Sequence, residues 1–248
     1  MNGKLFVIGI GPGDPELLTL KAVRIIRESA VICVPKGREE GSSLALSIAA
    51  KAVSLEGREI IEAHFPMKKT MKKRGSAGAG RRGSADDELD AKWNDTVEAI
   101  KNKLNEGNNV AFLTLGDPSI YSTFFYLYDK LLELVPGLDI EIVPGVSSIN
   151  AAASRAKIFL GLGNDRIAVL PANYMDDLGT VLETFDTVVL MKVNKVINEI
   201  VELLSGMGLA DKAVCVSRAG MEDERIYRDI REIDREGLNY FSMVIVRK

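Results

Sequence analysis

Metal-binding and thiol side chains are scarce in this sequence. Its 248 residues include one histidine, His64, and two cysteines, Cys33 and Cys215. Zinc sites are built from several Cys and His ligands, and no CxxC pair occurs, so we predict no metal site. Both cysteines lie in apolar runs, where we expect buried, reduced thiols that pack as small hydrophobic side chains. Such cysteine usage predicts a cytoplasmic protein.

Long apolar runs are also missing. No stretch reaches the ~20 apolar residues that a transmembrane helix needs, so we predict no membrane association. The first residues, MNGKLFVIGI, lack the basic region, long apolar stretch and cleavage site of a signal peptide. Hydrophobic residues nevertheless make up 46% of the chain, which is enough for a sizeable core.

Acidic residues are absent from residues 68–84, KKTMKKRGSAGAGRRGS, although the chain has a net charge of −3. Such a basic, Gly/Ser-rich segment cannot bury enough apolar surface to offset the entropy of ordering. We therefore predict a flexible surface loop over about residues 68–86. A nucleic-acid site is the alternative, but no aromatic residues alternate with the charges to stack on bases, so no nucleic-acid partner is predicted.

Strand-like and helix-like segments, by contrast, alternate throughout the first half. Apolar strands such as KLFVIGI (4–10) and NVAFLTLGDP (109–118) alternate with amphipathic helices such as residues 87–107. This order is typical of βαβ units around a parallel sheet. The second half has several strand candidates and one clear helix, which predicts a mixed sheet. The predicted fold class is therefore α/β, with two α/β domains over residues 1–146 and 147–248.

The turn GIGPGDP, residues 9–15, follows the first strand. A dinucleotide fingerprint needs G-x-G-x-x-G, but Asp14 stands where the third glycine would be, and its carboxylate would repel a pyrophosphate. The P-loop pattern is absent as well. Asp14 is instead a good N-cap for a helix that begins at Pro15. Taken alone, the turn is equally compatible with a strand-to-helix connection that binds no ligand.

Two similar turns follow later strands, TLGDPSIYS (114–122) and VPGVSS (143–148), and we predict a helix over residues 120–134. Parallel sheets bind ligands outside the carboxyl ends of their strands, so the three turns would form one crevice. Acidic side chains and bare backbone suit a ligand with positive charge, hydroxyl groups and an amino group. S-adenosylmethionine has these features, although this inference rests on charge type alone.

The three turns with their flanking segments resemble the tetrapyrrole methylases of cobalamin and siroheme biosynthesis. GIGPGDPELLTLKAVRII is similar to the opening signature of that family, FLTLGDPSIYST to the central one and EIVPGVSSINAAAS to the third. Four further segments resemble one branch of the family, which methylates carbon 20 of precorrin-2, metal-free or as its cobalt complex. These segments are VPKGREEGSSLALSIA, HFPM, VVLMKV and YFSMVIV. The basic segment between HFPM and AKWN departs from this branch, whose members are shorter there.

The resemblance implies a two-domain methyltransferase that binds S-adenosylmethionine in the cleft between its domains, acts on a small-molecule tetrapyrrole and forms a homodimer. By position it assigns to the cofactor pocket Pro12, Leu115, Gly116, Asp117, Ile120, Ser147, Ser148, Met191, Ala219 and Gly220. Asp117 is the one candidate catalytic residue: we expect it to bind the cofactor, and a part in proton loss is the alternative role. Helix capping ahead of Pro118 is the structural alternative.

A tetrapyrrole with acetate and propionate arms is a polyanion, so the implied substrate needs local positive charge. The predicted substrate contacts are Lys36, Arg38, Tyr121, Ser122 and Arg155, and the further basic candidates are Lys157 and Arg166. Arginine suits carboxylates because its planar guanidinium binds them bidentately, but each cation is equally a candidate for a solvated surface charge. We expect His64 to pack in a loop and Trp93 to pack its helix onto the core. Alternative functions are methylation at another ring carbon and non-catalytic binding of the cofactor or a tetrapyrrole.

Overall fold

The computed structural model describes residues 3–36, 43–64, 84–172 and 177–248. The chain divides into two compact units, Met1–Val146 and Ser147–Lys248. Arg38 lies outside the described residues, as does the predicted basic loop up to residue 83.

The first unit contains a parallel sheet, which the described residues build from five strands. In chain order these are β1 (Leu5–Gly9), β2 (Val31–Lys36), β3 (Glu59–His64), β4 (Val110–Thr114) and β5 (Ile140–Val143). They lie side by side in the order β3-β2-β4-β1-β5, and every neighbouring pair is parallel. The apolar runs LFVIG and VAFLT form two adjacent inner strands, as expected for a sheet that is covered on both faces.

Helices cover both faces of this sheet: α1 (Leu20–Glu28) and α2 (Leu44–Ala52) on one, and α3 (Ser84–Asn105) and α4 (Phe125–Leu134) on the other. Successive residues of a strand point to opposite faces. Accordingly, Ile8 of β1 packs in one core cluster with Ile25 of α1. Its neighbour Val7 packs in the other cluster with Leu127 of α4.

The chain leaves the adjacent strands β1 and β4 in opposite directions. From β1 it passes through α1 to β2, and from β4 through α4 to β5, which lies on the other side of β1. The carboxyl ends of β1 and β4 therefore flank a topological switch point, where open α/β sheets bind ligands.

The first helix begins later than the sequence predicts. Asp14 does act as an N-cap, since its Oδ1 accepts a 2.9 Å hydrogen bond from the amide of Glu16. The element that it caps is a short 3₁₀ helix, Pro15–Leu17. The α-helix starts only at Leu20, where the hydroxyl of Thr19 supplies the cap.

The helix predicted over residues 120–134 also starts late, at Phe125. Tyr121 has a left-handed backbone conformation, with φ of 55°, and a right-handed helix cannot include such a residue. Asp117 consequently caps no α-helix, and residues 117–122 form a turn of their own at the end of β4.

The second unit contains the predicted mixed sheet. Its strands are β6 (Ile167–Pro171), β7 (Thr187–Met191), β8 (Ala213–Ser217), β9 (Arg225–Tyr227) and β10 (Ser242–Arg247), in the order β6-β7-β10-β8-β9. Only β6 and β7 pair in parallel among these described strands. Because β10 runs antiparallel to both β7 and β8, the carboxyl ends of β7 and β8 lie at the same edge of the sheet. The two-unit α/β fold with one parallel and one mixed sheet confirms the predicted fold class.

The described helices of this unit are α5 (Ser148–Ala156), α6 (Leu178–Thr184) and α7 (Ile197–Gly206). The sequence pattern does not predict α6. This helix has only seven residues and includes Gly179 and two threonines, which have low helix propensity. It is stabilised instead by burial of Leu178 and Leu182, four residues apart on one face.

Candidate active site

The backbones of the three glycine turns meet at the carboxyl edge of the parallel sheet. A Cβ atom built on Gly9 would lie 2.6 Å from the carbonyl oxygen of Gly116 and 2.7 Å from the amide nitrogen of Gly145. A Cβ atom built on Gly145 would clash with the same Gly116 oxygen. Side chains are therefore excluded at these two positions, and the turns after β1, β4 and β5 converge as the sequence predicts.

Hydrogen bonds between Gly11 and Gly116 join the first turn to the second. The amide of Gly116 donates to the carbonyl of Gly11 at 2.7 Å, and the reverse bond is 3.3 Å long. Both residues have left-handed backbones, with φ of 77° and 68°, which glycine adopts without steric cost. These two glycines therefore allow the backbones of the two turns to come into direct contact.

Asp117 joins the second turn to the third. Its Oδ2 accepts a hydrogen bond from the amide of Gly145 at 3.0 Å, and its Oδ1 accepts from the amide of Ser119 at 2.8 Å and from the Ser119 hydroxyl. Partial burial disfavours the charged carboxylate, but these hydrogen bonds outweigh it and hold the pKa of Asp117 below its usual value. The Asp-x-Ser spacing signals a local turn of this kind, whereas nothing in the sequence points to Gly145 as a partner.

The end of β4 is fastened to the following turn by two buried hydroxyl groups. The side-chain oxygens of Thr114 and Ser122 lie 3.1 Å apart, and the Ser122 hydroxyl also accepts from the amide of Phe124 at 3.2 Å. Ser122, a predicted substrate contact, is thus mainly occupied within the protein. Its neighbour Tyr121 is 49% exposed, and the partial loss of contact with water raises the pKa of Tyr121 above its usual value.

The other predicted cofactor contacts of these turns differ in exposure. Pro12 is buried, whereas Leu115 and Ile120 are half-buried. Ser147 is buried and caps α5: its hydroxyl accepts from the amide of Ile149 at 3.3 Å. Ser148 is the first residue of that helix.

The predicted contacts of the second unit lie at the carboxyl ends of β7 and β8. Met191, half-buried, is the last residue of β7 and pairs with Met243 at the start of β10. Ala219 and Gly220 follow β8 in a loop. Two cations that the motifs do not single out, Lys192 and Arg218, lie next to them in the chain and have left-handed backbones with φ of 61° and 55°.

Comparison with known proteins identifies the family to which this fold belongs. The family model of the Tetrapyrrole (Corrin/Porphyrin) Methylases matches residues 4–234. The chain belongs to the tetrapyrrole methylase family. Cobalt-precorrin-2 C(20)-methyltransferase of Salmonella typhimurium is 35% identical over 253 aligned residues, which cover 100% of this chain and 98% of that protein. Precorrin-2 C(20)-methyltransferase of a Sinorhizobium species is 29% identical, with coverage of 98% and 95%.

A solved structure shares the fold of this tetrapyrrole methylase. It is the uroporphyrin-III C-methyltransferase of Thermus thermophilus in complex with S-adenosyl homocysteine, which aligns with a TM-score of 0.64 at 21% identity. The alignment covers 99% of this chain and 98% of that one.

The charges of the three turns fit a cationic ligand better than an anionic one. Residues 9–15, 114–122 and 143–148 contain no lysine or arginine. The hydrogen bonds described above keep Asp117 ionised at neutral pH. A phosphate would find no cation in these turns, whereas a sulfonium or ammonium group would meet negative charge.

The predicted substrate cations of the tetrapyrrole methylase are already paired where the structure describes them. Lys36 lies 2.7 Å from a carboxylate oxygen of Glu62, and Arg155 donates from Nε to both carboxylate oxygens of Glu224 at 2.9 Å. Of the further candidates, Lys157 ends α5 in a left-handed conformation, with φ of 59°, and the exposed Arg166 lies 3.7 Å from Asp186.

The remaining candidates have structural surroundings. Trp93 packs against the core and stacks on Tyr126, with ring centroids 5.7 Å apart. Cys33 and Cys215 are buried and free. The side chain of His64 lies outside the described part. Within the described part, no cluster of metal-binding side chains occurs and no helix is long and apolar enough to cross a membrane.

Proposed function

We propose that this tetrapyrrole methylase transfers the methyl group of S-adenosylmethionine to carbon 20 of cobalt-precorrin-2 in cobalamin biosynthesis. The observation that carries the proposal is the end-to-end similarity to the Salmonella enzyme of that name, at 35% identity. The metal-free substrate is the second candidate, favoured by the 29% identity to the Sinorhizobium enzyme. The higher identity and coverage support the cobalt-containing substrate.

The proposed cofactor contacts are those that the resemblance assigns, in the three turns and at the carboxyl ends of β7 and β8. The acidic, cation-free turns at the switch point support them, because the methyl donor carries a sulfonium and an ammonium group. Bound there, the donor would supply an electrophilic methyl group. We assign Asp117 a double role, fixing the turn at Gly145 and lending negative charge to the pocket.

The protein's own contribution to this reaction is alignment and exclusion of water. An electron-rich carbon of the macrocycle would attack the methyl group as the methyl–sulfur bond breaks. S-adenosylhomocysteine would leave, and the methylated carbon would lose its proton. This chemistry needs no protein nucleophile, which is consistent with the single histidine and the two buried thiols. Well-oriented reactants can lower a barrier by ~7–11 kcal/mol. We propose Lys36, Arg38 and Tyr121 as contacts for the carboxylate arms. Lys36 would leave Glu62 to pair with a substrate carboxylate, whereas the hydroxyl of Ser122 stays bonded within the protein.

We further propose that residues 1–146 and 147–248 are the two domains of the family, that the protein is a homodimer and that it works in the cytoplasm. The resemblance supports the first two proposals, and the two buried thiols support the third. Light scattering after gel filtration tests the assembly: a monomer mass at micromolar concentration would contradict the dimer.

An anaerobic methylation assay tests the proposed reaction. The protein is incubated with S-adenosylmethionine and either cobalt-precorrin-2 or metal-free precorrin-2, and the product is analysed by mass spectrometry and by NMR of the ring carbons. We expect one added methyl group, at carbon 20 of the cobalt complex. Methylation of the metal-free ring alone would favour the second candidate, and methylation of neither would refute the proposal. Methyl addition at another carbon would assign a different position within the family.

A further inference from the structure

The loop after β8, residues 218–224, is held by contacts within the loop and by one contact with α5. Arg218 has a left-handed backbone, which is costly for a residue with a side chain, and its guanidinium pairs with Asp223 within the loop. The amide of Met221 donates to the carbonyl of Arg218 at 2.9 Å, and that of Glu224 donates to the carbonyl of Met221 at 3.1 Å. A strained and repeatedly bonded loop has one defined shape.

Glu224, the last residue of the loop, connects it to the rest of the second unit. Its side chain is only 14% exposed, and its Oε2 accepts a hydrogen bond from the amide of Gly220 at 2.7 Å. The same carboxylate receives the guanidinium of Arg155, which lies in the last turn of α5, 69 residues earlier. Hydrogen bonds to ionised groups are about twice as strong as neutral ones, so this contact ties the loop to α5.

Glu224 leaves the backbone of Ala219 available. The one N–H of Gly220 is taken by Glu224, whereas neither the amide nor the carbonyl of Ala219 has a hydrogen-bond partner among the residues that the structure describes. Ala219 is only 5% exposed. Buried backbone groups in proteins almost always have a hydrogen-bond partner. The unsatisfied amide and carbonyl of Ala219, just after β8, therefore point to a ligand.

We propose that Glu224 is a positioning residue: held by Arg155, it fixes the loop so that the backbone of Ala219 is presented to the methyl donor. This inference rests on the proposed function. It replaces the substrate role predicted for Arg155, whose Nε donates to both carboxylate oxygens of Glu224. It also assigns the hydrogen-bonding contact of the loop to Ala219 in place of Gly220.

Calorimetric titration with S-adenosylhomocysteine tests the inference on the full chain. We expect Glu224→Ala to weaken binding about tenfold, the equivalent of one lost hydrogen bond to a charged group. Glu224→Gln keeps an acceptor for Gly220 and should recover most of the affinity. Arg155→Gln should weaken binding less than Glu224→Ala. Asp211→Ala, which removes an exposed ion pair to Arg231 in the same unit, is the matched control and should bind as wild type does.

Steady-state kinetics separate positioning from general loss of structure and from substrate binding. For the Glu224 variants the KM for the donor should rise in step with the calorimetric change, while kcat at saturation and the KM for the tetrapyrrole stay within about twofold of wild type. If folded Glu224→Ala, as judged by its melting curve, binds as wild type does, the inference is wrong. A rise confined to the tetrapyrrole KM in Arg155→Gln would restore the substrate role of Arg155. Wild-type protein that does not bind S-adenosylhomocysteine would refute the proposed function itself and the inference with it.

Discussion

The carboxylate of Asp117 accepts a hydrogen bond from the amide of Gly145, 28 residues later in the chain, at 3.0 Å. This bond joins the turn after β4 to the turn after β5, on either side of β1. With the Gly11–Gly116 bridge, it makes one structure of three turns that are far apart in sequence. The pocket proposed at the switch point therefore depends on contacts between turns as much as on residues that face a ligand.

Replacement of Asp117 by alanine should weaken binding of S-adenosylhomocysteine at least tenfold and lower the free energy of unfolding by about 1–3 kcal/mol. The amides of Ser119 and Gly145 would lose their acceptor, and an unpaired polar group that is shielded from water carries a penalty of this size. Calorimetry and urea unfolding measure the two effects. Thr19→Ala is the control: it removes the N-cap of α1, worth ~1 kcal/mol, outside the three turns and should leave affinity unchanged. Unaltered affinity in Asp117→Ala would contradict the proposed role.

The stabilisation due to Asp117 should depend on pH in one direction. Hydrogen bonds lower the pKa of its carboxyl in the folded protein, so its contribution is fully present above the unfolded-state pKa of ~3.9 and is lost as the pH falls towards the lower folded-state pKa. The difference in unfolding free energy between wild type and Asp117→Ala should be constant from about pH 7 to pH 5 and shrink below about pH 4. A difference that grew on acidification would be inconsistent with the lowered pKa.

Gly145→Ala should destabilise the first unit by about 1–3 kcal/mol or more, because its Cβ would meet the backbone at Gly116 and Gly9. Neither backbone segment can rotate away as a flexible side chain would. Gly179→Ala, a helical position with no atom within 4 Å of the added Cβ, should be neutral or stabilising by up to about 1 kcal/mol. Urea unfolding of the two variants tests the contrast, and equal effects would mean that the turns are not packed as described.

The elements were predictable from sequence to the extent that their signals are local. The apolar runs of β1 and β4 and the amphipathic pattern of α3 identify those elements directly. The late starts of α1 and α4 could not be predicted, because they depend on the cap at Thr19 and on the left-handed backbone of Tyr121. Short α6 forms through burial, which its own composition does not indicate.

The location of the candidate site could be predicted from the sequence, but its contacts could be predicted only in part. The position of the three turns at one edge of the sheet follows from the parallel direction of the strands that precede them. Their lack of lysine and arginine can be read directly from the sequence. The partners of Asp117 and Arg155 could not be predicted in this way. Gly145 and Glu224 lie 28 and 69 residues away from them in the chain, and only folding brings these pairs together.

Both cysteines should resist thiol reagents in the folded protein. Burial raises the pKa of Cys215 to about 12 and also raises the pKa of Cys33, so almost no thiolate, the reactive form, exists at neutral pH. Reaction with a disulfide reagent at pH 8 should be slow until denaturant is added, and should then reach two thiols per chain. Rapid labelling of native protein would show that one of these strands opens.

At position 121, glycine should give a more stable protein than alanine, which is the reverse of their usual order in a helix. At a φ of 55°, a side chain costs about 1–2 kcal/mol that glycine avoids. Tyr121→Gly should therefore be more stable to urea than Tyr121→Ala by about 1 kcal/mol, whereas glycine in an ordinary helix is the less stable of the two. If the exposed phenol contacts the substrate as proposed, both variants should raise the KM for the tetrapyrrole equally, and Tyr121→Phe should separate the hydroxyl from the ring. Greater stability of the alanine variant would mean that residue 121 leaves the left-handed conformation in solution.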